Sequence, residues 1–315
     1  MVRTVTDQRR LLRVVVPPEQ RAEQWARGEL FERSGFLVQT DRRLSQLAHA
    51  RPPGVTTHQW NRAIRTRFHF VVFDREDGLP RLGVRFDDPH EQGGDAERTI
   101  RLTHTVCETI GLPIVRIESP ALRPHTQGRK IVEYLLDARA FHDATWPKDG
   151  PGDAGAGWTG VGEEAVEVDP LPGFRDIVGR LPDGRSGFVN DLGAVARSAA
   201  VDAYVARQLC DPILRGLHVE WASGVAEGWA WLDVREGWCL FERVRLWLRD
   251  FPCGLEPGRL AEDLAAMAIG ERLKTLVTTE PVLHDKARLA ADLERIRARR
   301  DEMSTPFAFD HVSFA

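Results

Sequence analysis

The sequence predicts an α/β fold, a mixed sheet covered by helices, and three observations carry that prediction. Residues 67 to 88 (RFHFVVFDREDGLPRLGVRFDD) hold two short alternating apolar runs around an Asp77-Gly78 turn, the signature of a hairpin. LPIVRIES, Leu112 to Ser119, has the β-branched continuity of a buried parallel strand. Between them, DAERTIRLTHTVCETI spaces Ile100, Val106, Cys107 and Ile110 at helical intervals.

Taken in order, LLRVVV (11–16) reads as a strand, too short and too interrupted by Arg13 for a secretory signal. Residues 18 to 34 read as one amphipathic helix that starts at Pro18 and carries Ala22, Trp25, Ala26, Leu30 and Phe31 on its apolar face. FLVQTDRRL follows as a strand, and Pro52, Pro53 and Gly54 form a connection to a short helix at HQWNRAI.

In the hairpin, Phe68, Phe70 and Val72 are expected on one face, with His69, Val71 and Phe73 on the other. The turn sets position 69 opposite 85 or its neighbour, so His69, Arg85 and Asp87 can share one side. The next helix takes Asp95 as N-cap and closes at Gly111 and Pro113. It makes a crossover, expected to be right-handed, to LPIVRIES. A further helix covers about 126 to 141, and the α/β unit is expected to span 1–141.

Residues 142–173 are rich in Gly and Pro and read as a linker. Beyond it, 174–315 is expected to be mainly helical, with helices at LGAVARSAAVDAYV, LEPGRLAEDLAAMAIGERLKTL and HDKARLAADLERIRARRDE. GWAWLDVREGWCLFERVRLWL is read as a hairpin or a strand entering a helix.

Composition narrows function. A net charge of -4 argues against a wholesale polyanion binder, so any nucleic-acid surface has to be a local patch. Four lysines (Lys130, Lys148, Lys274, Lys286) among 43 basic residues reflect genome composition rather than function. The four cysteines form no CxxC pair, which indicates neither a disulfide framework nor a zinc knuckle and makes a reducing cytoplasm the simplest setting. No segment approaches the roughly 20 apolar residues of a membrane span, and no membrane association is expected.

HFVVFD, GVRFDDPH and GLPIVRIES, in the order helix, strand, hairpin, helix, strand, helix, resemble a bacterial domain family of unknown function allied to the PD-(D/E)XK, or restriction-endonuclease-like, nucleases. The resemblance covers residues 18 to 120. It implies a restriction-endonuclease-like core in which an aspartate of the first hairpin strand and an acid of the second hold Mg²⁺, which polarises phosphate and activates water.

Here those two positions fall on His69 and Arg85, so both carboxylates are missing. Asp74, Asp87 and Asp88 match acidic positions that relatives also carry but that are not the two main ligands, and Asp87 stands where the general signature has lysine. At ~4 Å and an effective dielectric near 20, each unit-charge interaction is worth about 4 kcal/mol, so a guanidinium in the cation's place opposes metal binding strongly. The resemblance therefore implies a catalytically inactive nuclease-like protein that acts as a nucleic-acid-binding or regulatory module, with no cofactor.

Two alternatives stay open: a protein-interaction module that engages a partner through the C-terminal region, and an Mg²⁺-dependent nuclease with a relocated site at Asp74, Asp87 and Asp88. Arg85 is either a phosphate contact or a structural ion pair, and His69 either a phosphate contact or general base or a histidine satisfied by a neighbouring carboxylate. Arg98 and Arg101 line a phosphate path or a solvated face. His104 and Cys107 are metal ligands on one helical face or core residues. Trp221, Trp229, Trp231, Trp238 and Trp247 are base-stacking platforms or core, and Phe307, Phe309 and Phe314 dock on a partner or on the chain itself.

Overall fold

The structure is a computed structural model that describes residues 11–13, 17–89, 94–145, 177–180, 186–189, 192–276 and 282–304. Its centre is a nine-stranded mixed sheet. The first half supplies α1 (Pro18–Ala26), β1 (Leu30–Arg33), β2 (Phe36–Arg43), α2 (Thr57–Ala63), β3 (Arg67–Asp74), β4 (Pro80–Asp87), α3 (Gly94–Ile110), β5 (Ile114–Glu118) and α4 (Arg129–Thr145). The second half supplies a small hairpin, β6 (Ile177–Arg180) and β7 (Ser186–Val189), then α5 (Ala194–Val205), β8 (Arg215–Glu220), β9 (Ala226–Arg235), β10 (Trp238–Arg249), α6 (Pro257–Thr275), β11 (His284–Asp285) and α7 (Lys286–Arg297).

The strand order is β1-β2-β3-β4-β5-β10-β9-β8, with β11 also on β10. β4 and β5 pair in parallel across α3, whereas β2-β3, β3-β4 and β5-β10 are antiparallel. The mainly helical expectation for 174–315 therefore gives way: β8, β9 and β10 extend the sheet begun by the first half. Helical spacing is visible within one segment, but the partner that makes a strand is not. Of the expected linker, 142–145 belongs to α4 and the rest lies outside the described residues.

The sheet is coated on both faces. On one, α4, α5 and α6 pack a core that joins both halves: Val84, Phe86, Val115 and Ile117 lie in the same cluster as Leu240, Val244, Leu246 and Leu264. On the other, α3 covers β3 to β5 through Val106, Cys107 and Ile110, and α7 covers β8 and β9 through Leu289, Leu293 and Ile296 against Trp221, Trp229 and Trp231.

Two expectations about faces are corrected. The first helix stops at Ala26 because Gly28 takes a left-handed conformation (φ 69°); Leu30 and Phe31 then enter opposite cores as neighbours on a strand. Phe68 packs with Val71 and Phe73, not with Phe70 and Val72. Alternation breaks at His69, where β2 passes from Thr40 opposite Phe70 to Arg42 opposite Phe68 and Asp41 turns to φ 62°.

Candidate functional site

The hairpin and LPIVRIES meet along the β4-β5 ladder, in which Arg85 lies beside Arg116 and Asp87 beside Glu118. Alternation sends Val84, Phe86, Val115 and Ile117 into the larger core and leaves these four charged residues on the α3 face. Arg85 Nε donates to Asp87 Oδ1 at 2.6 Å, and Arg116 Nε donates to Asp87 Oδ2. Arg116 Nη2 donates to Glu118 Oε2 at 2.9 Å, and Arg245 Nη1 reaches Glu118 Oε1 at 3.4 Å.

The result is an alternating ladder, Arg85, Asp87, Arg116, Glu118, Arg245, that runs from β4 to β10. Arg116 and Glu118 are both 5% exposed, a placement that only full pairing makes tolerable. Trp247 lies over the Arg116 guanidinium at 3.9 Å, with the Arg245 guanidinium 5.1 Å from the same ring.

The expected pocket is only partly assembled. Arg85 and Asp87 share a side, but the ring of His69 stands edge-on to Phe86, on the opposite face. Phe86 N–H donates to His69 Nδ1 at 3.0 Å, so the imidazole takes a backbone donor that the β3-β4 ladder leaves beyond Phe70. Burial, reinforced by the Arg85 guanidinium and opposed by Asp87, holds the His69 pKa below its ordinary value. A neutral ring accepting at Nδ1 carries its proton on Nε2.

Asp74 sits at the other end of the hairpin. Phe73 pairs with Pro80, so seven residues of β4, ~24 Å at ~3.4 Å each, separate that end from Asp87. Burial acts to raise its carboxyl pKa, but the Glu76 N–H and Arg81 outweigh it and hold it low. Asp88 is bound by Arg123 at 2.9 Å. The carboxylates on this side are thus engaged by guanidinium groups, a donor set that does not suit Mg²⁺, and the three aspartates of the relocated-site reading do not converge.

Arg98 and Arg101 are exposed on α3. One turn after Arg101, His104 faces a cavity with room for about one water, lined by Phe68, Arg85, Thr103 and Arg116 among others. Burial, then Arg116, Arg249 and Arg85, lower its pKa to about 4. Cys107 is buried and its thiol is pushed up to about 12 by burial, so it acts as core.

Trp221, Trp229 and Trp231 are core, while Trp238 and Trp247 retain exposure. The tail phenylalanines lie outside the described residues. Sequence reading missed Arg116, Glu118, Arg245 and the placement of Trp247. The available signal was the V-R-I-E and R-V-R-L-W-L-R alternation, in which every second residue leaves the core. Comparison with family models, curated proteins and solved structures returns no match.

Proposed function

We propose that this chain is a nuclease-like protein that binds nucleic acid without cleaving it, on a restriction-endonuclease-like core. The observation that carries this reading is the pair of positions where the resemblance calls for metal-binding acids: one is His69, whose ring serves a backbone N–H, and the other is Arg85, bound to Asp87. The order of a helix, three antiparallel strands, a crossover helix and a parallel strand supports the core assignment. Arg85, with Arg98 and Arg101 on α3, supplies the phosphate contacts; the terminal nitrogens of Arg85 make no hydrogen bond among the described residues.

Labelled DNA and RNA titrated across a salt series test the binding. Affinity has to fall as salt rises, because bound arginines displace counterions. Absence of binding at low salt removes the reading. Incubation of plasmid with Mg²⁺ or Mn²⁺ and the wild type or Asp87→Asn tests the lack of cleavage: products that vanish in the variant would overturn it. Protein interaction is a second reading, favoured by Val195, Val201, Tyr204 and Val205, which α5 leaves exposed.

A further inference from the structure

β10 presents Arg243, Arg245, Trp247 and Arg249 on the face opposite the larger core, because Val244, Leu246 and Leu248 take the alternate positions. This row lies beside Arg116 and Glu118 of β5, between the part of the sheet under α3 and the part under α7. Arg243 and Arg249 are exposed, and Arg245 and Trp247 are half-buried, with Trp247 packed against the cluster under α7. We infer that this strip is a binding face for single-stranded nucleic acid, with arginines on the phosphates and Trp247 against a base. The inference rests on the nucleic-acid reading above but places the ligand on the C-terminal strands, outside the segment that carries the nuclease resemblance.

Charge supports a polyanion. Arg85, Arg116, Arg243, Arg245 and Arg249 face Asp87, Glu118 and Glu227, a local positive excess in a chain whose net charge is -4. Not all of that charge is consumed internally. Arg249 makes no ion pair among the described residues, Arg243 approaches Glu227 only to 3.8 Å with half its side chain exposed, and Arg245 holds Glu118 at 3.4 Å.

Shape supports a single strand over a duplex. The exposed row is about one strand wide, because Arg116 and Glu118 on β5 and Glu227 and Trp229 on β9 are buried on either side of it, and a strip of that width suits one extended chain rather than a duplex. Alternate residues of β10 recur every ~6.8 Å, a spacing that suits successive phosphates of an extended strand. A partly exposed indole set among guanidinium groups matches the way single strands are held, by stacking together with backbone charge. An acidic peptide would satisfy the arginines but leave Trp247 without a role.

The test uses the full chain with fluorescein-labelled oligo(dT) and a duplex of equal length. The wild type is expected to prefer oligo(dT). Arg243→Glu/Arg249→Glu, which removes no buried charge, is expected to weaken binding about tenfold or more and to reduce the slope of log K against log salt by about 1.4, ~0.7 per phosphate contact. Trp247→Leu is expected to weaken binding and to abolish part of the tryptophan quenching seen on titration. Circular dichroism confirms that each variant is folded.

Binding by the wild type that survives the charge reversal but is lost in Arg98→Glu/Arg101→Glu overturns this inference and leaves the nucleic-acid reading standing. Equal affinity for duplex, or displacement by polyglutamate as readily as by unlabelled oligo(dT), also overturns it. A wild type that binds neither probe at low salt removes both.

Discussion

At the scale of the residue, Asp87 joins the two halves of the charged ladder. It accepts from both Arg85 and Arg116, and Arg116 is almost wholly enclosed by Trp247 and the neighbouring strands. Removing the carboxylate in Asp87→Ala leaves Glu118 as the remaining partner of a buried guanidinium. Breaking one partner of such a pair costs about 3–5 kcal/mol, and urea denaturation should show a loss of that order. Arg243→Ala, at the solvent end of the same face, should change stability by less than about 1 kcal/mol in the same measurement.

His104 supplies the pH dependence. Arg85 and Asp87 face it from β4, Arg116 from β5 and Arg249 from the end of β10; burial and the three arginines outweigh the single acid. Its pKa is about 4 when folded and about 6.5 when unfolded, so between those values the unfolded chain binds the extra proton. Stability from this group is fully present above pH ~6.5 and drains away as pH falls towards 4, by at most about 3 kcal/mol. Melting temperatures measured from pH 7 to 4.5 should therefore fall more steeply for the wild type than for His104→Gln; parallel curves would show that the acid sensitivity resides elsewhere.

At the scale of the element, close contact fixes where α6 lies. A Cβ at Gly228 would stand 2.0 Å from the backbone carbonyl carbon of Ala261, so β9 and α6 touch main chain to main chain there. A helix backbone cannot swing aside, and Gly228→Ala should cost at least the ~1–3 kcal/mol of ordinary overpacking. Gly216→Ala meets the flexible end of Glu262 instead and should cost less, a contrast that paired urea titrations resolve.

This level also shows how far sequence reading reaches. The hairpin, the crossover helix and LPIVRIES were legible because each announces its period locally. Leu30 and Phe31 misled because their spacing fits the preceding helix as well as a strand, and Gly28 decided between them through its backbone. The displacement of His69 from the Arg85 side was not legible at all, because it follows from a distortion opposite Asp41 on a different strand. Arg85 and Asp87 could be placed together from the strand period, whereas the tie of Asp87 to Arg116 depends on β4 pairing with β5, and the extension to Arg245 on β5 meeting β10 across 127 positions.

At the scale of the whole molecule, that same pairing sets the unit of folding. β10 covers the edge of β5 from Ile114 to Glu118, and β5 is buried at all five positions. Without β10, β5 becomes an exposed, largely apolar edge strand next to a half-empty core, because Leu240, Val244, Leu246 and the apolar side of α6 complete the cluster around Val115 and Ile117. An uncovered edge of this composition invites aggregation, and each large apolar side chain left open forfeits about 1.5–3 kcal/mol. A fragment of residues 1–145, although it contains all of α1 to α4 and β1 to β5, should be insoluble or lack a cooperative transition, while the full chain melts as one unit. A fragment that unfolds cooperatively, with a midpoint near that of the full chain, would show that the first half holds its own core and that the strands after residue 214 are an addition to it. The loss of the fragment would instead mean that the ladder from Arg85 to Arg245 exists only in the intact sheet, and that any ligand bound along it reads both halves of the chain at once.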